Sequence, residues 1–65
     1  MIKVKSQLEV GKYTVLTLDS NIPYSKENEV IIDGKTFQTE IVYDMPNSIG
    51  IIAHGDFIGK EIKFI

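Results

Sequence analysis

Few residues of this chain have side chains suited to acid–base chemistry. The single histidine, His54, stands two positions before Asp56 in the turn-forming run His54-Gly55-Asp56. This run follows the apolar segment 49–52, and Tyr43 and Asp44 stand at the turn that precedes the same segment. General acid–base catalysis needs such groups within hydrogen-bond reach of one another and of a substrate, and nothing in their spacing requires that. The favoured interpretation of His54 and Asp56 is a solvated turn whose aspartate accepts backbone N–H groups. A small-molecule enzyme at this pair is an alternative.

The composition excludes several other kinds of site. The 65 residues contain no cysteine, which removes disulfides and thiolate metal sites. The five glycines are scattered and form no phosphate-binding loop. No serine stands in a Gly-x-Ser-x-Gly turn. We therefore predict that the protein is not an enzyme, with no catalytic residue, no metal and no cofactor.

The positive charges suggest a second alternative, a weak binder of single-stranded nucleic acid. Lys3 and Lys5 lie on the polar side of the first predicted strand, and Lys60 and Lys63 lie near the last strand. These lysines would form a basic strip if the two strands were neighbours. Against this, the net charge is −2 and all seven cations are lysine, whereas arginine is the usual residue for guanine and phosphate. Lysines on edge strands more often prevent strand-to-strand aggregation.

Alternating polarity predicts the strands that position these groups. Residues 2–10 form a first strand with Leu8 and Val10 on the same apolar side as Ile2 and Val4, and Ser6 interrupts this side as a bulge or a strand end. A two-residue turn at 11–12 leads into a second strand. This turn sets Leu8 opposite Val15 and Val10 opposite Tyr13, so that one face stays apolar across the pair.

Residues 29–53 form the predicted centre of the fold, a three-stranded meander. Asp33-Gly34 is a strong signal for a type I′ hairpin, which sets Val30 opposite Phe37. A turn at 45–48 follows. Because Pro46 favours turn types that fit a hairpin poorly, two pairings of the next strand, one residue apart, stay open. Residues 49–52 are apolar on both faces, which favours a central strand or one covered on both sides. The irregular segment 19–28 either covers an end of the core or binds a partner.

Together these patterns predict one all-β domain over residues 1–65. We expect about six short antiparallel strands in a small, partly open β-barrel, with a two-sheet sandwich as the alternative. The runs Ile32-Asp33-Gly34-Lys35 and Gly59-Lys60-Glu61-Ile62 resemble the hairpins of small bacterial β-barrel domains, including those of translation factors, but such runs recur wherever hairpins close a barrel and identify no family. The absence of a signal-peptide pattern and of a long apolar run predicts a cytoplasmic protein without a membrane segment. The lysine- and isoleucine-rich composition suggests a bacterial source.

The favoured functional hypothesis is a module that binds another protein or a second copy of itself. The turn after the second meander strand is one predicted contact, through Tyr43, Asp44, Met45 and Asn47. Met45 suits an adaptable binding surface, although it would equally cap the mouth of the barrel. The second contact is an apolar stripe outside the main core, formed by Ile31, Val42, Ile49 and Ile51, which needs a cover.

Overall fold

The computed structural model describes residues 1–22, 29–42 and 45–65. These ranges contain six strands: β1 (Ile2–Val10), β2 (Tyr13–Leu18), β3 (Glu29–Ile32), β4 (Lys35–Ile41), β5 (Ser48–Ile51) and β6 (Glu61–Phe64). All neighbours are antiparallel, and the order β1-β2-β5-β4-β3-β6 closes on itself through β6 and β1. The predicted small all-β fold of six short strands is therefore confirmed. Tyr43, Asp44 and residues 23–28 lie outside the described ranges.

Two tight turns fix the hairpins. Asp33 and Gly34 both have positive φ, 55° and 79°, as a type I′ turn requires, and Val30 pairs with Phe37 as predicted. In the β1–β2 turn, Gly11 has a φ of 60°, and Val10 pairs with Tyr13. Both hairpin registers predicted from the sequence are confirmed.

β5 is a buried strand with a paired strand on each side. It pairs with β2 on one side and β4 on the other, and all four of its residues are buried. The pairs Glu40–Gly50 and Ile41–Ile49 settle the register that Pro46 left open. Phe37 of β4 packs against the core. The core itself consists of inward-pointing side chains from the other five strands, together with Phe57 from the loop before β6: Val4, Leu16, Leu18, Val30, Ile32, Ile49, Ile51, Phe57 and Ile62.

A β-bulge divides β1 into two halves that face opposite ways. The register against β2 shifts between Val4 and Ser6, where the sequence suggested a bulge or a strand end. An extra residue in one strand reverses the inward and outward alternation that follows it. Val4 is consequently buried, whereas Leu8 and Val10 are 65 % and 51 % exposed. The prediction that these four apolar residues share the core side was wrong beyond the bulge.

The described ranges include no helix of the length and apolarity that a bilayer crossing requires.

Candidate functional site

The bulge turns Leu8 and Val10 to the outside of the barrel, beside apolar residues of neighbouring segments, and we call the combined set the outer patch. Leu8 and Val10 from β1 pair with Val15 and Tyr13 from β2. Val15 pairs in turn with Gly50 of β5. The complete patch, with one residue that follows β4, is Leu8, Val10, Tyr13, Val15, Val42 and Gly50. It is contiguous because Leu8 pairs with Val15 and the other five residues line one depression.

Gly50 gives the outer patch a groove. It stands between Val15 on β2 and Glu40 on β4, and the space beside it is a groove of about 290 Å³. A methyl group at position 50 would lie 3.6 Å from the Glu40 carbonyl oxygen, an ordinary contact, and Gly50 has no positive φ. The backbone therefore does not require glycine at this position. The consequence of glycine here is the open space on the outer face.

Opposite charges flank the outer patch. On the β1–β2 side, the Lys12 Nζ lies 5.5 Å from the centroid of the Tyr13 ring, within the range of a cation–π contact. On the β4 side, Glu40 lines the groove together with Val42. Lys12 and Glu40 are both exposed. The patch thus has an apolar middle with a cation at one margin and a carboxylate at the other.

The predicted apolar stripe is only partly on the surface. Val42 is half-buried and belongs to the outer patch. Ile31 is half-buried on β3, beside a different depression that Lys63 also lines. Ile51 is fully buried and Ile49 nearly so, because both point into the barrel between β2 and β4. The expectation that Ile49 and Ile51 lie outside the main core is corrected.

The residues of the predicted turn contact have different roles. Met45 is 46 % exposed and lines a shallow groove with Val42, which adjoins the outer patch. Asn47 holds the main chain of Leu18, because its carbonyl accepts the Leu18 N–H at 2.7 Å and its Nδ2 donates to the Leu18 carbonyl at 3.3 Å. Asn47 is therefore a structural residue of the β2–β5 edge. Tyr43 and Asp44 lie outside the described residues.

His54 and Asp56 line one depression of about 260 Å³. The His54 Nε2 lies 2.7 Å from the Gly11 carbonyl oxygen, to which it donates, and Nδ1 lies 3.3 Å from a carboxylate oxygen of Glu9. The Asp56 carboxylate accepts the N–H of Ile58 at 3.3 Å. Both side chains are exposed and bind neighbouring main-chain groups, as expected for a solvated turn. No hydrogen bond between them is among the contacts of the described residues.

Gln7, which the sequence pattern placed on the polar face of β1, holds the loop before β6 in position. The side chain of Gln7 faces the loop before β6, where Nε2 donates to the Gly55 carbonyl and Oε1 accepts the N–H of Phe57. Phe57 packs edge-on against Phe37, with ring centroids 5.6 Å apart. The bulge at Ser6 was the sequence signal that could have revealed this role.

The four predicted basic residues do not form a uniform strip. β1 and β6 are neighbouring strands, as that hypothesis required, but the residue opposite Lys3 in the strand register is Glu61. The Lys60 Nζ binds an Asp33 carboxylate oxygen at 2.9 Å. This hydrogen bond and the charge of Lys60, with a smaller effect of Lys35, hold the pKa of Asp33 below its ordinary value of 3.8. Lys5 and Lys63 are exposed.

The described residues form no metal-ligand cluster, since no three of their His, Cys, Asp or Glu side chains come together as a metal site would need. Comparison of the chain with protein-family models, with curated proteins and with solved structures gives no match.

Proposed function

We propose that the protein is a non-enzymatic β-barrel that acts by binding another protein or a second copy of itself, and that the outer patch is its contact surface. The observation that carries the proposal is the exposure of Leu8 and Val10, at 65 % and 51 %, beside Val15 and Tyr13. Single exposed apolar residues are normal on a soluble protein, whereas contiguous ones are typical of contact sites. Strand pairing makes these four residues contiguous.

The strand pairing around the outer patch determines how a partner would bind. β2 and β5 each have a hydrogen-bonded strand on both sides, whereas β1 pairs with β6 only at Ile2 and Lys3. Binding by addition of a strand needs a free strand edge, which the middle of the patch does not have. A partner over Val15 and Gly50 would therefore contact side chains on the face of the sheet, where burying apolar surface contributes about 25 cal/mol per Å².

The margin of the outer patch also suits a protein contact. Interfaces commonly have an apolar, aromatic-containing centre with polar and charged residues around it. Tyr13 supplies the aromatic ring, and Lys12 and Glu40 supply charges at opposite margins. The groove at Gly50 gives the centre a shape into which a protruding side chain of a partner fits.

Site-specific photo-cross-linking in cells that naturally produce the chain tests this proposal. The variant Val10→p-benzoylphenylalanine places the reactive group in the outer patch. The matched control is Ile58→p-benzoylphenylalanine, because Ile58 is 56 % exposed, close to the 51 % of Val10, and lies outside the patch. We expect a discrete cross-linked product from position 10 and none from position 58. Equal or absent cross-linking at the two positions would overturn the proposal.

A further inference from the structure

We propose that the second half of β1 binds an extended peptide segment of another protein, which adds to the barrel as an antiparallel strand beside Gln7 and Glu9. This inference rests on the proposed function, that the outer patch is a contact surface, and it names the kind of partner and how it is held. Strand addition needs a strand edge whose main-chain N–H and C=O groups are free. β1 has such an edge beyond its bulge.

The pairing of β2 with its two neighbours determines which main-chain groups face this edge. In an antiparallel pair, the main-chain groups of successive residues point alternately toward the partner strand and away from it. The Leu18 N–H donates to the Asn47 carbonyl on the β5 side, so the even-numbered residues of β2 bond to β5 and the odd-numbered ones to β1. Gln7 and Glu9 stand opposite even-numbered residues of β2. Their main-chain N–H and C=O groups therefore point away from β2.

The other side of β1 is paired only near its beginning. β6 pairs with the first two residues of β1, the Val4 N–H donates to the Lys60 carbonyl, and the Val4 carbonyl accepts the Gly59 N–H. The next main-chain groups on the same side, after the bulge, are those of Gln7 and Glu9. No strand or main-chain hydrogen bond from the described ranges of the chain reaches them.

Side-chain contacts on the inner face hold this edge in place without occupying it. The side chains of Gln7 and Glu9 belong to the inner face, because the residues opposite them on β2, Leu16 and Thr14, are fully buried. Gln7 binds the loop before β6, and a carboxylate oxygen of Glu9 lies 3.3 Å from the His54 Nδ1. An edge that is already ordered loses less conformational entropy when a partner binds.

The side chains of the edge determine which peptide fits. Leu8 and Val10 point outward and are 65 % and 51 % exposed, so apolar residues opposite them would extend the outer patch across the new strand. Glu9 lies between them on the other face, with 54 % of its side chain exposed. Opposite charges directly across a pair of strands stabilise it. The expected segment is therefore apolar–cation–apolar, with lysine or arginine opposite Glu9.

A second copy of β1 does not supply that segment. Antiparallel self-pairing centred on Leu8 sets Glu9 opposite Gln7, with no cation. Self-pairing centred on Glu9 sets two carboxylates opposite each other, which destabilises a strand pair. Self-pairing centred on Gln7 brings the added strand against Val4, whose main chain is already bonded to residues 59–60. The occupant is therefore a segment of another protein.

Amide hydrogen exchange followed by NMR tests whether the edge is free in the chain alone. The N–H groups of Leu8 and Val10 bond to β2, so they should exchange at least about tenfold more slowly than those of Gln7 and Glu9. Equal protection of all four in dilute solution would overturn the inference. Protection of Gln7 and Glu9 that appears only as the chain is concentrated would also overturn it, because the occupant would then be a second copy.

A short synthetic peptide, Ser-Val-Lys-Val-Thr-Ser with blocked ends, tests the addition itself. In the antiparallel register its lysine lies opposite Glu9 and its threonine opposite Gln7, and both direct their N–H groups at β1. We expect the peptide to slow amide exchange at Gln7 and Glu9. N-methylation of the lysine and threonine should weaken binding at least about tenfold, whereas N-methylation of the two valines, whose N–H groups face away, should change it less than about threefold.

The variant Glu9→Gln tests the selectivity for a cation, since it keeps the main chain and removes the charge. It should weaken binding of the lysine peptide about two- to fivefold and leave unchanged the binding of a peptide with threonine in place of lysine. No binding at about 1 mM peptide, or equal binding of the two N-methylated peptides, would overturn strand addition. If position 10 nevertheless cross-links to a protein in cells, the contact surface stands and only the mode of binding is wrong. If position 10 gives no product either, both proposals fail.

Discussion

The side-chain amide of Gln7, on β1, binds the main chain of Phe57 in the loop before β6. Its Oε1 accepts the Phe57 N–H at 2.7 Å, while its Nε2 donates to the Gly55 carbonyl at 2.6 Å. Gln7 can do this only because the bulge after Val4 turns it toward the loop before β6. The same bulge turns Leu8 outward, so the loop contact and the β1 part of the outer patch have one cause.

Gln7→Ala should lower the free energy of unfolding by about 1–3 kcal/mol, because the Gly55 carbonyl and the Phe57 N–H both lose their partner. Gln7→Glu should also destabilise, since a carboxylate keeps the acceptor for Phe57 but has no donor for Gly55. Urea denaturation measures both changes. The control Gln38→Ala, at an exposed position of β4, should stay within about 0.5 kcal/mol of wild type. Equal losses for Gln7→Ala and Gln38→Ala would contradict the role given to Gln7.

Gly50→Ala and Gly34→Ala should have different effects on stability. A methyl group at position 50 meets only ordinary contacts and the backbone is not left-handed, so the variant should be as stable as wild type or up to about 1 kcal/mol more stable. Gly34 has a φ of 79°, and alanine there should destabilise the β3–β4 turn by about 1 kcal/mol or more. Thermal unfolding compares the two variants. A marked loss at position 50 would show that glycine there serves the backbone rather than the groove.

The Lys60–Asp33 ion pair predicts a pH dependence with a definite sign. The pKa of Asp33 is lowered in the folded chain, mainly by its hydrogen bond with Lys60. Its stabilising effect is therefore present above the ordinary carboxyl value of 3.8 and is lost as pH falls through the lower folded value. Lys60→Met should raise the pKa of Asp33 toward 3.8, as followed by NMR titration of the carboxyl carbon. An unchanged titration curve in that variant would contradict the ion pair.

Substitutions at Asn47 and Met45 should have different effects on stability. Asn47→Ala removes the hydrogen bond to the Leu18 carbonyl and should cost about 0.5–1.5 kcal/mol in urea denaturation. Met45 is exposed beside the outer patch, so Met45→Ser should change stability by less than about 0.5 kcal/mol. The reverse order of the two effects would show that the turn is held by Met45.

The sequence determined the hairpins well because turn chemistry is local. Asp33-Gly34 and Gly11-Lys12 fixed both pairings, and the apolar run at 49–52 indicated a buried strand. The direction in which a strand faces is not local, since one extra residue between Val4 and Ser6 exchanges its two sides. For this reason Leu8 and Val10 were expected on the core side, and the outer patch was not predicted. Ile51 was misplaced for a related reason, because an apolar run has no polar positions that mark its outer face.

The most direct measurement of the central claim is hydroxyl-radical footprinting of the chain inside its own cells and in dilute purified form. Leu8 and Tyr13 report on the outer patch, and Ile58, at 56 % exposure, reports on surface outside it. If the outer patch is a contact surface, Leu8 and Tyr13 should be oxidised in dilute solution and protected in cells, while Ile58 is labelled equally in both. Equal labelling of Leu8 and Tyr13 in the two samples would contradict the account.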